Sequence, residues 1–215
     1  MTLIVSAKFR GGVVVQADGR SNRHGKVVTD TLQKIFPIAD SCLVVSHSGV
    51  NTWKKRSVAA CLKKLSFANC QTHLEVAAVI DKGLGKLITG SWCECSECSG
   101  KKEGVEFLID GFDGQGQLRR LFLAWPWNSR IPELSSWNTD WGYAFGQGKA
   151  VHWPDEPKNL EVGGIDEIVE LVSRIHADAM TRTAHEVGGH IHSLKVTEAG
   201  SEWATPTAKK TIVLK

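Results

Sequence analysis

Apolar residues recur at every second position in residues 3–9 and again in residues 13–18. A period of two is typical of a β-strand, because successive side chains point to opposite faces. Gly11 and Gly12 lie between the two runs and give the backbone the freedom that a chain reversal needs. The pattern therefore predicts a β-hairpin at the start of the chain.

The length of the turn decides which side chains share a face of this hairpin. A three-residue turn over residues 10–12 pairs Ile4 with Asp18. The polar residues that this pairing places on one face, opposite the apolar ones, are Thr2, Ser6, Gln16 and Asp18. A two-residue turn would reverse the relation, because a shift of one residue turns every side chain to the other face.

The pattern along the rest of the chain predicts a mixture of strands and helices. The expected extended segments are 26–36, 39–49, the two arms of a hairpin over 104–124, 188–197 and 211–214. The expected helices are 51–65, 71–88 and a segment from Ile165 to about Thr183. Residues 125–153 carry many tryptophans and are expected to form a long loop that packs on its own aromatic rings. This order favours a layered α+β fold over a parallel βαβ fold.

Composition narrows the class of protein. The chain has 215 residues, 42% of them hydrophobic, which is enough for one domain over 1–215. Its net charge of +3 is too small to predict nucleic acid or an anionic membrane as a partner. The apolar runs are strand-sized and interrupted by charges, so we expect neither a membrane span nor an export signal. A cytoplasmic protein is the resulting expectation.

A cytoplasmic location implies that the cysteines are reduced thiols. Cys93, Cys95 and Cys98 have a spacing that suits zinc, yet the sequence offers no identifiable fourth ligand for a closed site. We therefore expect no metal and no other cofactor. A metal on these three thiols stays open as the alternative.

Thr2 is the candidate nucleophile, because removal of Met1 would make it the first residue of the chain. A free N-terminal threonine carries a hydroxyl and an α-amine of pKa about 7.7–8.0, so one residue supplies both nucleophile and base. A nearby cation would keep the amine unprotonated, and backbone N–H groups would stabilise an oxyanion. With the three-residue turn, Asp18 stands close to the chain end and would hold such a cation in place.

The stretch TLIVSAKFRGGVVVQADGR (2–20) resembles the start of proteasome β-type subunits and of bacterial proteasome-like peptidases, which are N-terminal nucleophile (Ntn) hydrolases. LQKIFPIAD (32–40) is similar to the lysine-bearing segment of that family, and VVSHSG (44–49) to its oxyanion turn. The resemblance implies that Thr2 is the nucleophile, that Asp18 anchors Lys34, that Lys34 tunes the amine of Thr2, and that the Gly49 N–H binds the oxyanion.

The same resemblance implies a four-layer αββα sandwich of antiparallel sheets flanked by helices. It also implies a threonine peptidase that acts on peptides or unfolded proteins within a homo-oligomeric ring, with an ATP-dependent unfoldase as an undetermined partner. The family has polar residues, a serine, an aspartate and a serine, where this chain has Gln147, Ala184 and Val187. Two alternatives therefore stay open, a catalytically silent assembly or regulatory subunit and a narrow-specificity amidase or acyltransferase.

Overall fold

The computed structural model describes residues 2–23, 26–49, 52–53, 56–89, 104–136, 141–146, 151, 164–183, 186–204 and 211–215. The strands of this part are β1 (Leu3–Phe9), β2 (Gly12–Asp18), β3 (Ser21–Arg23), β4 (Lys26–Thr29), β5 (Ile35–Pro37), β6 (Leu43–Gly49), β7 (Thr52–Trp53), β8 (Arg56–Ser57), β9 (Val105–Phe112), β10 (Leu118–Trp125), β11 (Glu133–Ser136), β12 (Gly142–Gly146), β13 (Ile191–Thr197) and β14 (Gly200–Trp203). Its helices are α1 (Val58–Leu62), α2 (His73–Thr89) and α3 (Ile165–Arg182).

Two five-stranded antiparallel sheets organise the described chain. The first sheet has the order β12-β1-β2-β13-β14 and the second the order β11-β10-β9-β6-β5. Apolar side chains from both sheets form one cluster between them, with Ile4 and Val15 from the first sheet and Val44 and Leu108 from the second. Burial of these side chains between the sheets is the main force that holds the two layers together.

The expected four-layer αββα sandwich is wrong as a fold class. Of the described chain, 42% lies in strands and 25% in three helices, which makes a β-rich, mostly antiparallel fold rather than a helix-flanked sandwich. The two long helices do not form layers over the sheets: α3 contacts β1 and β2, and α2 contacts β9 and β10. Among the described residues of 51–65, the expected helix is reduced to the five-residue α1, which Ser57 caps, because β7 and β8 pair before it.

The first hairpin forms with the two-residue turn that the sequence left open, one residue away from the register of a three-residue turn. Ile4 pairs with Ala17 and Phe9 with Gly12, which leaves a two-residue turn. Gly12 belongs to the strand rather than the turn because the neighbouring β13 is very close. A Cβ on Gly12 would lie 2.0 Å from the carbonyl oxygen of Val196.

The change of register separates the polar residues that were expected on one face. Ser6 turns toward the second sheet, where its Oγ donates to Oδ2 of Asp110 at 2.9 Å. Gln16 turns toward the helix, where its Nε2 donates to Oγ of Ser173 at 2.7 Å. Both faces of the hairpin are therefore buried, and each carries apolar and polar residues.

Other segments match the sequence pattern to different degrees. The predicted hairpin at 104–124 is present as β9 and β10, and the helices expected at 71–88 and from Ile165 are α2 and α3. The stretch 125–153, predicted as a loop, contains β11 and β12, and β14 was not predicted. In the part of the chain that the structure describes, no helix combines the length and the hydropathy needed to cross a membrane.

Candidate active site

Asp18 ends β2 and is fully buried. Its Oδ1 accepts hydrogen bonds from the Leu3 N–H and from Nζ of Lys34, both at 2.8 Å. Its Oδ2 accepts from the Arg20 N–H at 3.1 Å and from the Gly188 N–H at 3.3 Å. Each carboxylate oxygen thus has two donors, which compensate for the water that burial removes.

The ammonium group of Lys34 is the cation expected at this site. Its side chain, like that of Asp18, is 0% exposed. Burial lowers the pKa of Lys34 below its ordinary value, and the negative charge of Asp18 opposes that shift. The Lys34 carbonyl accepts the His47 N–H at 2.9 Å, which ties this segment to β6. The proton of Lys34 is therefore less tightly held than that of an exposed lysine.

Thr2 lies directly beside this ion pair. Its carbonyl carbon is bonded to the Leu3 nitrogen, and that nitrogen donates to the same Asp18 oxygen as Lys34 does. Thr2 is only 1% exposed, and its buried Oγ1 has no hydrogen-bond partner among the described residues. The structure therefore brings three of the four predicted site residues together and leaves the hydroxyl of Thr2 uncommitted.

Gly49, the fourth predicted residue, ends β6. Its φ is +90°, and a Cβ there would lie 2.1 Å from the carbonyl oxygen of Gly104, so only glycine fits. Within the described chain, no hydrogen bond joins Gly49 to Thr2, Asp18 or Lys34. An oxyanion role for Gly49 therefore remains a prediction.

Two histidines that the sequence did not single out lie buried near the ion pair. Burial lowers the pKa of His176 and of His192 to about 4. Nearby charges contribute to these values: His190 lowers the pKa of His192, Lys34 lowers the pKa of both histidines, and the negative charge of Asp18 raises it. Both rings lack hydrogen-bond partners among the described residues. They are therefore neutral near pH 7 and add no charge to the site.

The helical spacing of α3 carries a signal that would have found His176. His176 follows the buried Val172 by four residues and precedes the buried Ala179 by three, so it belongs to the stripe that faces the sheet. Gln16 donates to Ser173, one turn before His176, and Asp18 lies two residues after Gln16 on β2. The two elements thus carry His176 toward Asp18.

Of the other candidate site residues named from the sequence, Val187 lies in the described part of the chain and the rest lie outside it. Val187 is 1% exposed and packs in the apolar cluster beneath α3. Gln147, Ala184 and the three closely spaced cysteines, Cys93, Cys95 and Cys98, lie outside the described residues. Among the residues that the structure describes, no group of three or more His, Cys, Asp or Glu side chains is arranged to hold a metal ion.

Known proteins add no functional assignment to this geometry. No protein-family model matches the chain, and no curated protein matches it.

Proposed function

We propose that this protein is a threonine-type hydrolase that cleaves peptide or amide bonds, with Thr2 as the nucleophile after removal of Met1. The observation that carries the proposal is the shared acceptor Oδ1 of Asp18. It binds the ammonium of Lys34 and the amide of the residue after Thr2, both at 2.8 Å. A buried cation beside a chain end is what an N-terminal nucleophile needs.

The proposed reaction uses Thr2 as both base and nucleophile. Its α-amine takes the proton from its own hydroxyl as Oγ1 attacks the substrate carbonyl carbon, and a tetrahedral oxyanion forms. The amine returns that proton to the leaving nitrogen, the C–N bond breaks, and an ester to Thr2 remains. Water activated by the same amine then hydrolyses the ester and restores the hydroxyl.

The neighbouring residues supply the electrostatics. The positive charge of Lys34 lowers the proton affinity of the Thr2 amine, so that the amine is free to act as a base near neutral pH. Asp18 holds Lys34 in place. We assign the Gly49 N–H to the oxyanion, because preorganised backbone donors stabilise the charge that develops there.

The resemblance to proteasome β-type subunits supports a peptide or unfolded protein as substrate and a homo-oligomeric ring in the cytoplasm. Residues 125–153 carry many tryptophans, which would support the ring if their side chains were exposed for contact between subunits. Trp125 is fully buried in the core of its own subunit rather than exposed for contact with another. Light scattering at micromolar concentration tests the ring, because a monomer would contradict it.

A second candidate is a catalytically silent subunit that assembles or regulates other copies. Val187 favours this alternative, because the family that the chain resembles has a polar residue at this point that helps to orient the amine, whereas Val187 packs in the apolar cluster beneath α3. A silent subunit would keep the Asp18–Lys34 pair as a structural feature and would show no reaction at Thr2.

Reaction with a threonine-directed epoxyketone separates the two candidates. The reagent forms a ring with the hydroxyl and the free amine of an N-terminal threonine, so peptide mapping by mass spectrometry should place one adduct on Thr2. Thr2→Ala is the control and should show none. A protein with a verified Thr2 N-terminus that forms no adduct and cleaves no peptide would rule out the hydrolase.

A further inference from the structure

The side chain of Arg20 lies where three segments of the chain meet near Asp18. Its Nε donates to Oδ1 of Asp30 at 2.7 Å, with side-chain exposures of 20% for Arg20 and 46% for Asp30. Its guanidinium also covers Gly188, since a Cβ on Gly188 would lie 2.7 Å from Cζ of Arg20. A planar group therefore packs flat on a backbone that has no side chain to hold it off.

Asp30 fastens the other two segments to each other. Its carbonyl oxygen accepts the His190 N–H at 2.8 Å. Gly189 has a φ of +78°, and a Cβ there would lie 2.4 Å from the same oxygen, so the chains touch through backbone alone. The Leu32 N–H donates to the Gly19 carbonyl at 2.8 Å, which holds the start of this segment on the end of β2.

Both contacts act on the buried ion pair. Gly188, which lies under the guanidinium, donates its N–H to Oδ2 of Asp18. Asp30, which pairs with the guanidinium, begins the short segment that delivers Lys34 to Oδ1 of Asp18. The partly exposed side chain of Arg20 thus contacts both Gly188, which donates to Asp18, and the segment that carries Lys34.

We propose that Arg20 is a positioning residue that sets the contact between Asp18 and Lys34, by clamping Gly188 and Asp30 on either side of its guanidinium. Its importance for catalysis rests on the proposed function. Its effect on the ion pair does not, because the contacts of the guanidinium with Gly188 and Asp30 exist whether or not Thr2 reacts.

When Arg20 is substituted, the direction in which the Lys34 pKa shifts distinguishes a positioning role of Arg20 from an effect of its charge alone. Asp18 raises the pKa of Lys34, so a looser Asp18 contact lowers it. Loss of the Arg20 charge alone would act the other way, because removal of a nearby cation favours a protonated lysine. Arg20→Lys keeps the charge but loses the planar group, so charge alone predicts no shift there.

The experiment titrates Lys34 by NMR in the full chain labelled with ¹³C at the lysine ε-carbon, with the signal assigned by Lys34→Arg. In Arg20→Lys and Arg20→Met, the pKa of Lys34 should fall by about half a unit or more. Gly188→Ala, which adds a methyl group under the guanidinium without changing charge, should act in the same direction. Arg182→Met is the control, because it breaks an ion pair with Asp178 within α3 in which the two side chains are 33% and 51% exposed.

Turnover of a fluorogenic peptide is the second readout. In Arg20→Lys, kcat should fall about tenfold while KM stays within about twofold, because the clamp acts on the charge at Thr2 rather than on substrate binding. A folded Arg20→Lys with an unchanged Lys34 pKa would overturn the proposal. If wild-type protein is inactive but the pKa shifts as expected, the hydrolase fails and the clamp stands.

Discussion

Lys34 and Asp18 form an ion pair that is closed to solvent on both sides, with Nζ 2.8 Å from Oδ1 and both side chains 0% exposed. Taking two charges out of water is costly, and their attraction offsets that cost only when the remaining hydrogen-bonding capacity is satisfied. Three backbone N–H groups provide this for Asp18. The removal of one partner would leave the other charge buried, so each residue depends on the other.

Lys34→Met should abolish amide hydrolysis and leave a folded but less stable protein. The loss of the cation removes the charge that tunes the Thr2 amine, and the buried Asp18 loses its partner at a cost of about 3–5 kcal/mol. Lys195→Met is the control, because its partner Asp166 is 86% exposed, and such pairs contribute about 1 kcal/mol or less. Peptide turnover and urea denaturation check both effects. Turnover that equals wild type in Lys34→Met would remove Lys34 from the mechanism.

The buried histidines predict a loss of stability in weak acid. The folded pKa of His176 is about 4, below an unfolded value of about 6.5, so between these values the unfolded chain binds more protons. The free energy of unfolding should therefore fall as the pH drops through this window, by about 2 kcal/mol for one histidine between about pH 7 and about pH 5.

His176→Leu should flatten this dependence, because leucine does not titrate and leaves no ring nitrogen buried without a partner. Adding His192→Leu should flatten it further, since its pKa is also lowered to about 4. Urea denaturation of the three proteins at the two pH values gives the comparison. An equal loss of stability in wild type and in the double variant would show that neither histidine is responsible.

A second buried ionic group should prove as sensitive as the first. Asp110 accepts from Nε of Arg120 at 2.8 Å and from Oγ of Ser6 at 2.9 Å, and both charged side chains are 1% exposed. Asp110→Ala should lower the free energy of unfolding by about 3–5 kcal/mol, because it leaves the Arg120 cation buried. The apolar pair Asp110→Leu with Arg120→Met should recover most of this loss. Arg119→Ala is the control, because Arg119 pairs with Asp113 but is 47% exposed. An equal loss in the free energy of unfolding for Arg119→Ala would contradict the explanation.

The first hairpin shows how far a sequence pattern reaches and where it stops. The alternation in residues 3–9 and 13–18 predicts two strands with a tight reversal, and β1 and β2 are there. The local pattern does not predict that β13 lies beside β2. The Val196 carbonyl of β13 is so close that position 12 requires a glycine. That contact between distant segments sets the register and hence the face of every side chain.

The candidate site shows the same division. The hairpin pattern pointed to Asp18 near the chain end and the resemblance to proteasome β-type subunits implied Lys34, and the structure joins these residues through Oδ1 of Asp18. The role of Gly188 could not be predicted from the sequence, because Gly188, whose N–H donates to Asp18, is 170 residues away from it in the chain. Pairing of strands and close approach of backbone decide such contacts, and neither leaves a local pattern.

Activity should depend on the removal of Met1. With Met1 attached, the nitrogen of Thr2 is an amide and has almost no basicity, so its hydroxyl loses the built-in base. Among the described residues, no side chain accepts a hydrogen bond from Oγ1 of Thr2 and so none replaces that base. Loss of a general base reduces rates by about 10²–10⁴-fold, which is the range expected for the form that retains Met1.

The comparison requires two forms of one protein, each verified by mass spectrometry: one released at Thr2 by a site-specific protease and one that keeps Met1. Thr2→Ser, released in the same way, is the matched control, because serine keeps both hydroxyl and amine and should retain measurable turnover. Thr2→Ala keeps the amine alone and should have none. If both wild-type forms cleave the peptides equally, or if Thr2→Ala is as fast as either, the hydroxyl of Thr2 is not the nucleophile and the buried Asp18–Lys34 pair is structural.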